Sequence, residues 1–186
     1  MNIARTSRCA APIALCTCVL LTILTGCQTA LPRPEPLALD GVRNLTRAGD
    51  IYISGAATPE AIEALKSRGV RALLDLRLPE QIEPEFAKTV RSLGVTYVPL
   101  PMKSVEMTDG QAAAFLEAMR TYAGEPLLIH CKSGNRSGAM YGLYAGAECD
   151  LGVDQAIISA RQAGMKNDDL AADLRQFLTE RASADE

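Results

Sequence analysis

The chain is poor in the residues that build nucleic-acid and metal sites. It has no tryptophan, 4% aromatic residues and a formal net charge of -3, so it lacks the basic surface and the stacking side chains with which proteins bind nucleic acids. His130 is the only histidine, and no Cys-x-x-Cys pair occurs, which excludes the common zinc sites. We therefore expect no nucleic-acid partner, no metal and no other cofactor.

Residues 1–27 have the build of a bacterial export signal. Arg5 and Arg8 precede an apolar run from Ala10 to Leu24, which is too short for an ordinary membrane-spanning helix and typical of a secretory signal. The run ends in Leu24-Thr25-Gly26-Cys27. This ending resembles the lipobox of bacterial lipoproteins, in which the cysteine receives lipid and becomes the new N-terminus.

Lipid on Cys27 predicts a periplasm-facing protein of the bacterial cell envelope, attached to the membrane through its N-terminus. Gln28 follows Cys27. The lipoprotein resemblance then implies the outer membrane, because an aspartate at that place would imply retention at the inner membrane. A plain cleaved signal and an uncleaved anchor, with Cys27 incidental, are the alternatives. After lipidation the remaining thiols are Cys131 and Cys149, too few for a disulfide framework.

The sequence after the signal divides into a tether, residues 28–42, and a domain, residues 43–186. Alternating prolines between Ala30 and Pro36 favour extended polyproline II structure over packing. In the domain, short apolar runs alternate with helical patterns, which predicts an α/β fold with a mostly parallel central sheet flanked by helices. The predicted strands are 51–53, 71–76, 95–98 and 126–130; the predicted helices are 59–68, 81–93, 109–119, 136–147, 154–163 and 168–180.

The most informative segment runs from His130 to Ser137. A predicted buried strand ends at His130 and a helix begins near Arg136, so the connecting loop lies where α/β sheets bind ligands. Gly134 can take backbone angles that turn successive N–H groups inward around an anion, and the helix N-terminus adds its positive end. This environment lowers the pKa of a thiol, and it predicts that Cys131 is a nucleophilic thiolate.

Each other residue of the segment has a predicted part in the same site. Arg136 supplies a planar fork of donors suited to tetrahedral oxyanions, and Ser137 donates a hydrogen bond to the thiolate. His130 orients the loop through hydrogen bonds, since neighbouring strand residues point to opposite faces. The residues predicted to surround the anion are Lys132, Ser133, Gly134 and Asn135. The alternative is a buried structural cysteine followed by an ordinary glycine-containing turn.

Several runs together resemble one known family. Ile53-Ser54-Gly55, Thr58-Pro59-Glu60, Leu74-Asp75-Leu76-Arg77 and the His130-Cys131 loop are similar to the dual-specificity-like branch of the protein tyrosine phosphatase superfamily. The similarity is greatest to the bacterial phosphatase-like domain also found in beta-lactamase-hydrolase-like proteins, and it covers residues 43–165. It implies a cysteine-phosphatase-like α/β fold and a phosphorylated substrate, with Cys131 as nucleophile and Arg136 as phosphate ligand.

The spacing of the loop departs from that family. Four residues separate Cys131 from Arg136, one fewer than in the usual phosphatase signature. The same spacing occurs in rhodanese-type sulfurtransferases, which carry a persulfide on the cysteine and take sulfur from a donor. A sulfurtransferase is therefore the first alternative function, and a non-catalytic anion- or partner-binding lipoprotein is the second.

The phosphatase resemblance also implies a general acid on a loop before the cysteine. The segment from Met102 to Gly110 offers Glu106 and Asp109. Asp109 has a second explanation, because acids are favoured in the first turn of a helix, and Glu106 has one as a solvated loop residue. A sulfurtransferase needs neither. Asp75 and Arg77, at the end of a predicted strand, form an ion pair or brace the loop.

Overall fold

A computed structural model describes residues 31–184 as one α/β domain. Six strands form a single sheet in the order β1-β2-β3-β6-β4-β5. The pairs β3–β6, β6–β4 and β4–β5 are parallel, whereas β1–β2 and β2–β3 are antiparallel. The strands are β1 (Glu35–Pro36), β2 (Thr46–Ala48), β3 (Ile51–Ser54), β4 (Ala72–Asp75), β5 (Thr96–Pro99) and β6 (Leu127–His130). The predicted mixed, mostly parallel sheet is confirmed.

Helices cover both faces of this sheet, which explains why its inner strands are continuous apolar runs. Leu73 and Leu128 point into a core beneath α1 and α2, while Leu74 and Ile129 point into a larger core beneath the other four helices. The helices are α1 (Pro59–Ser67), α2 (Phe86–Ser92), α3 (Asp109–Thr121), α4 (Asn135–Glu148), α5 (Val153–Gln162) and α6 (Asp168–Ala184).

Local capping begins two of the helices as the sequence predicts. The Thr58 side chain accepts a hydrogen bond from the backbone N–H of Ala61, and Pro59 is the first residue of α1. Thr108 and Gln111 form a capping box at the start of α3. The capping box at Thr108 ends the loop that begins at Pro101.

The predicted helix 81–93 is wrong in its first part. A 3-10 turn covers Pro79–Gln81, and α2 begins only at Phe86. Pro84 explains the difference, because proline restricts the residue before it to extended conformations and has no N–H to donate. The segment 78–85 therefore remains a loop at the carboxyl end of β4.

The N-terminal part of the described chain packs on the domain, whereas the sequence favours a free tether there. Glu35 and Pro36 pair with β2, and the Tyr141 hydroxyl donates to the Pro32 carbonyl oxygen at 2.9 Å. Leu31 and Pro32 lie against the amino ends of β3 and β6. The difference arises because the edge of β2 offers hydrogen-bond partners that the isolated segment lacks. The predicted signal, Cys27 and residues 28–30 lie outside the described residues.

A row of glycines lets the last helices approach α4 closely. A Cβ atom on Gly142 would lie 2.5 Å from the Cβ of Ala160, and one on Gly138 would lie 2.5 Å from the backbone N of Met165. Helix α4 is thereby held along most of its length, so its N-terminus has a fixed place at the sheet.

Among residues 31–184, none of the helices combines the length and the apolar character that crossing a membrane requires.

Candidate active site

Cys131 lies directly after β6, fully buried at the base of a tight loop. Its backbone N–H donates to the Ser54 carbonyl oxygen at 3.2 Å. The loop ends at Gly134, which has a φ of +99° and precedes the first residue of α4. This left-handed conformation turns the Gly134 N–H back toward the cysteine, and it donates to Sγ at 3.1 Å. The turn at Gly134 therefore places a backbone donor directly on the cysteine sulfur.

Further backbone donors surround the same place. In the described part of the chain, five N–H groups around Cys131 donate to no protein acceptor. They belong to Lys132, Ser133, Asn135, Arg136 and Ser137. The last three lie in the first turn of α4, where N–H groups have no partner within the helix. Together with the dipole of α4 they make a concave site that favours negative charge.

Other parts of the chain fix the shape of this loop. The Asn44 amide donates to the Ser133 carbonyl oxygen at 2.8 Å, and the Ala56 N–H donates to the Lys132 carbonyl oxygen at 3.2 Å. Asn135 has its side-chain oxygen turned away from the loop, where it accepts from the N–H of Lys166 at 2.6 Å. The loop carbonyls of Lys132 and Ser133 are thus bonded to other parts of the chain, whereas their N–H groups have no acceptor among the described residues.

Gly55 permits the loop to lie against β3. A Cβ atom at this position would lie 2.8 Å from the carbonyl carbon of Ser133. Real side chains do not approach a backbone so closely, because the overlap forces one of the two segments to move. The lack of a side chain at Gly55 is therefore required for the loop to pack against the end of β3.

The Arg136 side chain is buried and holds three segments together. Nη1 donates to the carbonyl oxygens of Leu76 at 2.8 Å and Met102 at 2.9 Å, and Nη2 donates to Oε1 of Gln81 at 2.9 Å. A guanidinium has five N–H donors, so the Nε–H and one Nη2–H remain without an acceptor among residues 31–184. The arginine thus braces the ends of β4 and β5 and keeps two donors for an anion.

Ser137 has a different partner from the predicted one. Its hydroxyl donates to the Ser54 carbonyl oxygen at 2.7 Å, and a hydroxyl has a single proton to donate. In this geometry the proton is therefore not directed to the thiolate. The carboxyl end of β3 supplies this acceptor, and the bond fastens the start of α4 to the sheet.

His130 has both ring nitrogens engaged beneath the loop. The Ala57 N–H donates to Nε2 at 3.0 Å, and Nδ1 lies 3.4 Å from Oδ1 of Asp75. Nε2 therefore accepts and Nδ1 carries the proton. Burial lowers the pKa of His130, and the neighbouring Asp75 carboxylate offsets only part of this effect. A neutral His130 with two fixed partners orients the residue that follows it and is not a general base.

Asp75 is the centre of a buried polar cluster. Its carboxylate accepts from the Arg77 guanidinium at 2.8 Å and from the Tyr97 hydroxyl at 3.0 Å. Burial alone would raise the pKa of Asp75, but the hydrogen bonds from His130 and Arg77 outweigh it and hold the pKa well below its usual range. The Arg77 guanidinium lies 4.2 Å over the Phe86 ring, which itself stacks on His130.

This arrangement agrees with the family that the sequence matches. Residues 33–174 match the family model described as DSP-PTPase phosphatase fused to NAD+ kinase. The chain belongs to this DSP-PTPase phosphatase family. It is also 31% identical over 99 residues to a beta-lactamase hydrolase-like protein of Xylella fastidiosa. That match covers 50% of this chain and 22% of the relative, so the chain spans about a fifth of the length of the curated relatives it matches.

Several solved structures share this fold. A DUF442 candidate phosphatase from Shewanella putrefaciens CN-32 superposes with a TM-score of 0.62 at 25% identity, over 77% of this chain and 92% of that one. A Cys-to-Ser variant of TpbA from P. aeruginosa, in complex with phosphotyrosine, has a TM-score of 0.64 at 18% identity and covers 82% and 96%. The described domain accordingly has a cysteine-phosphatase fold.

An open depression of about 540 Å³, which we call the mouth, lies beside the loop, although Cys131 is not among its lining residues. Its lining includes Lys132 from the loop, Gln81 from the segment after β4, and charges of both signs. The other lining residues are Arg43, Ala56, Arg77, Glu80, Ile82 and Glu83. A more apolar depression beside it shares Ala56, Arg77 and Glu83, so the two depressions form a continuous groove.

The two predicted general acids lie in different surroundings. Asp109 lines a separate depression with Arg120 and Phe177. Glu106 is exposed and pairs with Lys103 at 3.2 Å, in the loop that begins at Met102. Neither carboxylate lines the depression at Lys132. The loop of Glu106 nevertheless starts at the site, because the Met102 carbonyl is bonded to Arg136.

Gln81 and Asn44 are site residues that sequence reasoning missed. The predicted helix 81–93 includes Gln81, although Pro79 and Pro84 on either side favour a loop at the carboxyl end of a strand. Asn44 has a φ of +49°, a conformation that asparagine tolerates better than most residues, but its partner in the loop lies 89 positions away. No local pattern signals such a contact.

The second thiol of the described domain is remote from the first along α4. Cys149 caps the C-terminus of this helix, whereas Cys131 precedes its N-terminus. Burial raises the pKa of Cys149, although a hydrogen bond from Tyr144 opposes the rise. A half-buried thiol with a raised pKa is a weak nucleophile. Within residues 31–184, no group of three or more His, Cys, Asp or Glu side chains is placed to hold a metal ion.

Proposed function

We propose that the protein hydrolyses phosphomonoesters through a covalent intermediate on Cys131. The observation that carries the proposal is the Gly134 N–H at 3.1 Å from Sγ, at the centre of inward-facing donors. The thiolate attacks phosphorus, an S–P bond forms, and the P–O bond to the leaving group breaks. Water then attacks phosphorus, the S–P bond breaks, and phosphate leaves while the thiolate is restored.

Arg136 is the proposed side-chain ligand of the phosphoryl group. Its three hydrogen bonds to Leu76, Met102 and Gln81 fix the guanidinium plane. Its two remaining donors suit the paired oxygens of a phosphate. A pre-positioned donor pair stabilises charge as it develops in the transition state, without reorganisation at the moment of reaction.

Glu106 is the proposed acid that protonates the leaving-group oxygen and then accepts a proton from water. It lies four residues after Met102, in the loop whose start is bonded to Arg136. Asp109 is less suitable, because its carboxylate faces Arg120 and Phe177 in a separate depression.

Aryl phosphate hydrolysis by the purified domain tests this proposal. We expect phosphate release by the wild type and its loss in Cys131→Ser, with the phosphocysteine trapped by rapid acid quench and found by mass spectrometry. Cys149→Ser is the matched control, since it removes the other thiol and leaves the loop intact. Equal phosphate release by wild type and Cys131→Ser would exclude the proposed nucleophile.

A sulfurtransferase is the second candidate, favoured by the four-residue spacing between Cys131 and Arg136. In that reaction the thiolate attacks the outer sulfur of thiosulfate, sulfite leaves, and the persulfide then passes its sulfur to cyanide. Thiocyanate formation, with mass spectrometry of Cys131 after thiosulfate treatment, separates the two chemistries. An unmodified Cys131 excludes the sulfurtransferase, and inactivity in both assays favours a non-catalytic anion- or partner-binding protein.

We further propose that the protein is a periplasm-facing lipoprotein, attached through Cys27 to the outer membrane. The lipobox-like ending Leu24-Thr25-Gly26-Cys27 and the following Gln28 support this localisation. Labelling cells with a palmitate analogue is expected to mark the wild type and not Cys27→Ser. Equal labelling of both would exclude lipid on Cys27.

A further inference from the structure

We propose that Gln81 is a positioning residue that sets the Arg136 guanidinium for anion binding. The inference rests on the proposed function only in taking the anion to be a phosphoryl group. It concerns how the site holds its arginine and applies to any tetrahedral oxyanion in the loop.

The Gln81 carboxamide has a defined orientation. Its Oε1 atom accepts from Arg136 Nη2 at 2.9 Å and from the Leu78 N–H at 3.2 Å. Both partners are donors, so the atom that faces them must be the oxygen and not the amide nitrogen. The Leu78 bond closes the 3-10 turn that Pro79 begins, and it holds the oxygen toward the arginine.

The loop that carries Gln81 is itself fixed to the buried cluster. Arg77 donates to the Gln81 carbonyl oxygen at 3.5 Å while its other nitrogens bond to Asp75. Pro84 prevents this segment from extending α2 toward its N-terminus. Gln81 is thus a rigid acceptor, half-buried on the wall of the depression beside Lys132.

Among the three acceptors of Arg136, Gln81 is the one that governs Nη2. The carbonyl oxygens of Leu76 and Met102 both bind Nη1, so without Gln81 the guanidinium keeps its contacts at one nitrogen and is free to pivot about it. The remaining donors on Nε and Nη2 would then lose their fixed direction. Ordering these donors before an anion arrives reduces the entropy cost of binding.

The experiment compares Gln81→Met, which keeps the length and removes the acceptor, with Gln81→Glu, which keeps an acceptor oxygen. Gln176→Leu, on the exposed face of α6, is the matched control for loss of a glutamine. Tungstate binding is measured by calorimetry, and the Arg136 Nε–H signal by NMR. We expect Gln81→Met to bind tungstate about tenfold more weakly, as for the loss of one hydrogen bond of about 1.4 kcal/mol. We also expect its Nε–H signal to broaden.

Gln81→Glu is expected to restore a sharp Nε–H signal, because the carboxylate again holds Nη2. A purely structural role predicts lower stability to urea with unchanged tungstate affinity per folded molecule. Wild-type affinity in Gln81→Met, or a broad signal in Gln81→Glu, would overturn the proposal. Both readouts are independent of turnover. If the wild type hydrolyses no phosphate but its tungstate binding still depends on Gln81, the phosphatase chemistry is refuted and this inference stands.

Discussion

Nδ1 of His130 lies 3.4 Å from Oδ1 of Asp75, and both side chains are completely buried. The carboxylate also bonds to Arg77 and Tyr97, so the residue before the proposed nucleophile is connected to the ends of β4 and β5. The sequence left open whether Asp75 and Arg77 form an ion pair or brace the loop. In the structure they do both, because one Asp75 carboxylate serves Arg77 and His130 together.

Removing the Asp75 charge is expected to destabilise the protein severely. Asp75→Asn leaves the buried Arg77 guanidinium with only the exposed Glu83 carboxylate as an ion-pair partner, and breaking a buried pair costs about 3–5 kcal/mol. Tyr97→Phe is the control, because it removes one hydrogen bond to the same carboxylate and costs about 1 kcal/mol. Urea unfolding measures both. Equal losses for the two variants would show that the Arg77–Asp75 pair contributes little.

Stability is expected to fall as pH falls below about 6.5, the pKa of histidine in unfolded chains. Burial lowers the pKa of folded His130, so the unfolded chain binds a proton before the folded chain does, and acidification favours unfolding. A second loss follows below about pH 4, where unfolded aspartates take protons and folded Asp75 does not. Chemical denaturation from pH 4.5 to 8 measures the first slope. His130→Gln should remove it, since the chain has one histidine.

A methyl group on Gly55 is expected to lower both stability and activity. Gly55→Ala pushes a Cβ atom against the Ser133 carbonyl carbon at 2.8 Å. Overpacking lowers the free energy of unfolding by about 1–3 kcal/mol. Displacement of the loop that raises the activation free energy by a similar amount lowers kcat/KM about tenfold or more. The control is Gly110→Ala in α3, where nothing lies within 4 Å and alanine stabilises a helix by about 0.5–1 kcal/mol. Full activity in Gly55→Ala would contradict this account of the loop.

Ser137→Ala is expected to reduce stability without slowing breakdown of the covalent intermediate. The hydroxyl donates to the Ser54 carbonyl oxygen, which also accepts from the Cys131 N–H. Its loss therefore removes one of two hydrogen bonds to this oxygen and costs about 0.5–1.5 kcal/mol. Pre-steady-state release of the aryl leaving group reports the intermediate, because this group departs in the first step and phosphate in the second. A larger burst of leaving group with slower turnover in the variant would instead show that the Ser137 hydroxyl donates its proton to the thiolate.

The two candidate acids are expected to behave differently. Glu106→Gln should slow hydrolysis of alkyl phosphates by about 10²-fold or more and that of activated aryl phosphates much less, because a poor leaving group needs the proton. Asp109→Asn should change both rates less than about twofold, since a group outside the reacting site gives no acid–base contribution. Steady-state rates of both variants on an alkyl phosphate and on an activated aryl phosphate show which residue is the general acid. A large, leaving-group-dependent effect of Asp109→Asn would reverse the assignment.

The parts of the site that follow from sequence are local ones. The strand ending at His130, the glycine turn and the start of α4 depend on neighbouring residues, and the order strand, Cys131, Gly134, Arg136 predicts them. The mostly parallel sheet flanked by helices follows equally from the alternation of short apolar runs with helical patterns. The capping of α1 and α3 is likewise local, because Thr58 and Thr108 bond to residues three positions ahead.

The parts that the sequence does not predict depend on contacts between distant segments. Gln81 reaches Arg136 across 55 positions, and Ser137 finds its acceptor 83 positions away at Ser54. A hydroxyl or carboxamide can bond to many partners, so residue type alone does not choose among them. The docking of residues 31–36 was missed for the same reason, since the edge of β2 is formed only in the folded sheet.

That docking determines how far the proposed catalytic end stands from any membrane attached to Cys27. Leu31 lies at the amino ends of β3 and β6, while Cys131 follows the carboxyl end of β6. Residues 28–30 separate Cys27 from Leu31, and an extended residue spans at most about 3.6 Å. A lipid on Cys27 would therefore keep the amino-end edge close to the bilayer and turn the mouth outward. Solutes and proteins of the periplasm would reach it, whereas the headgroups of the anchoring leaflet would not.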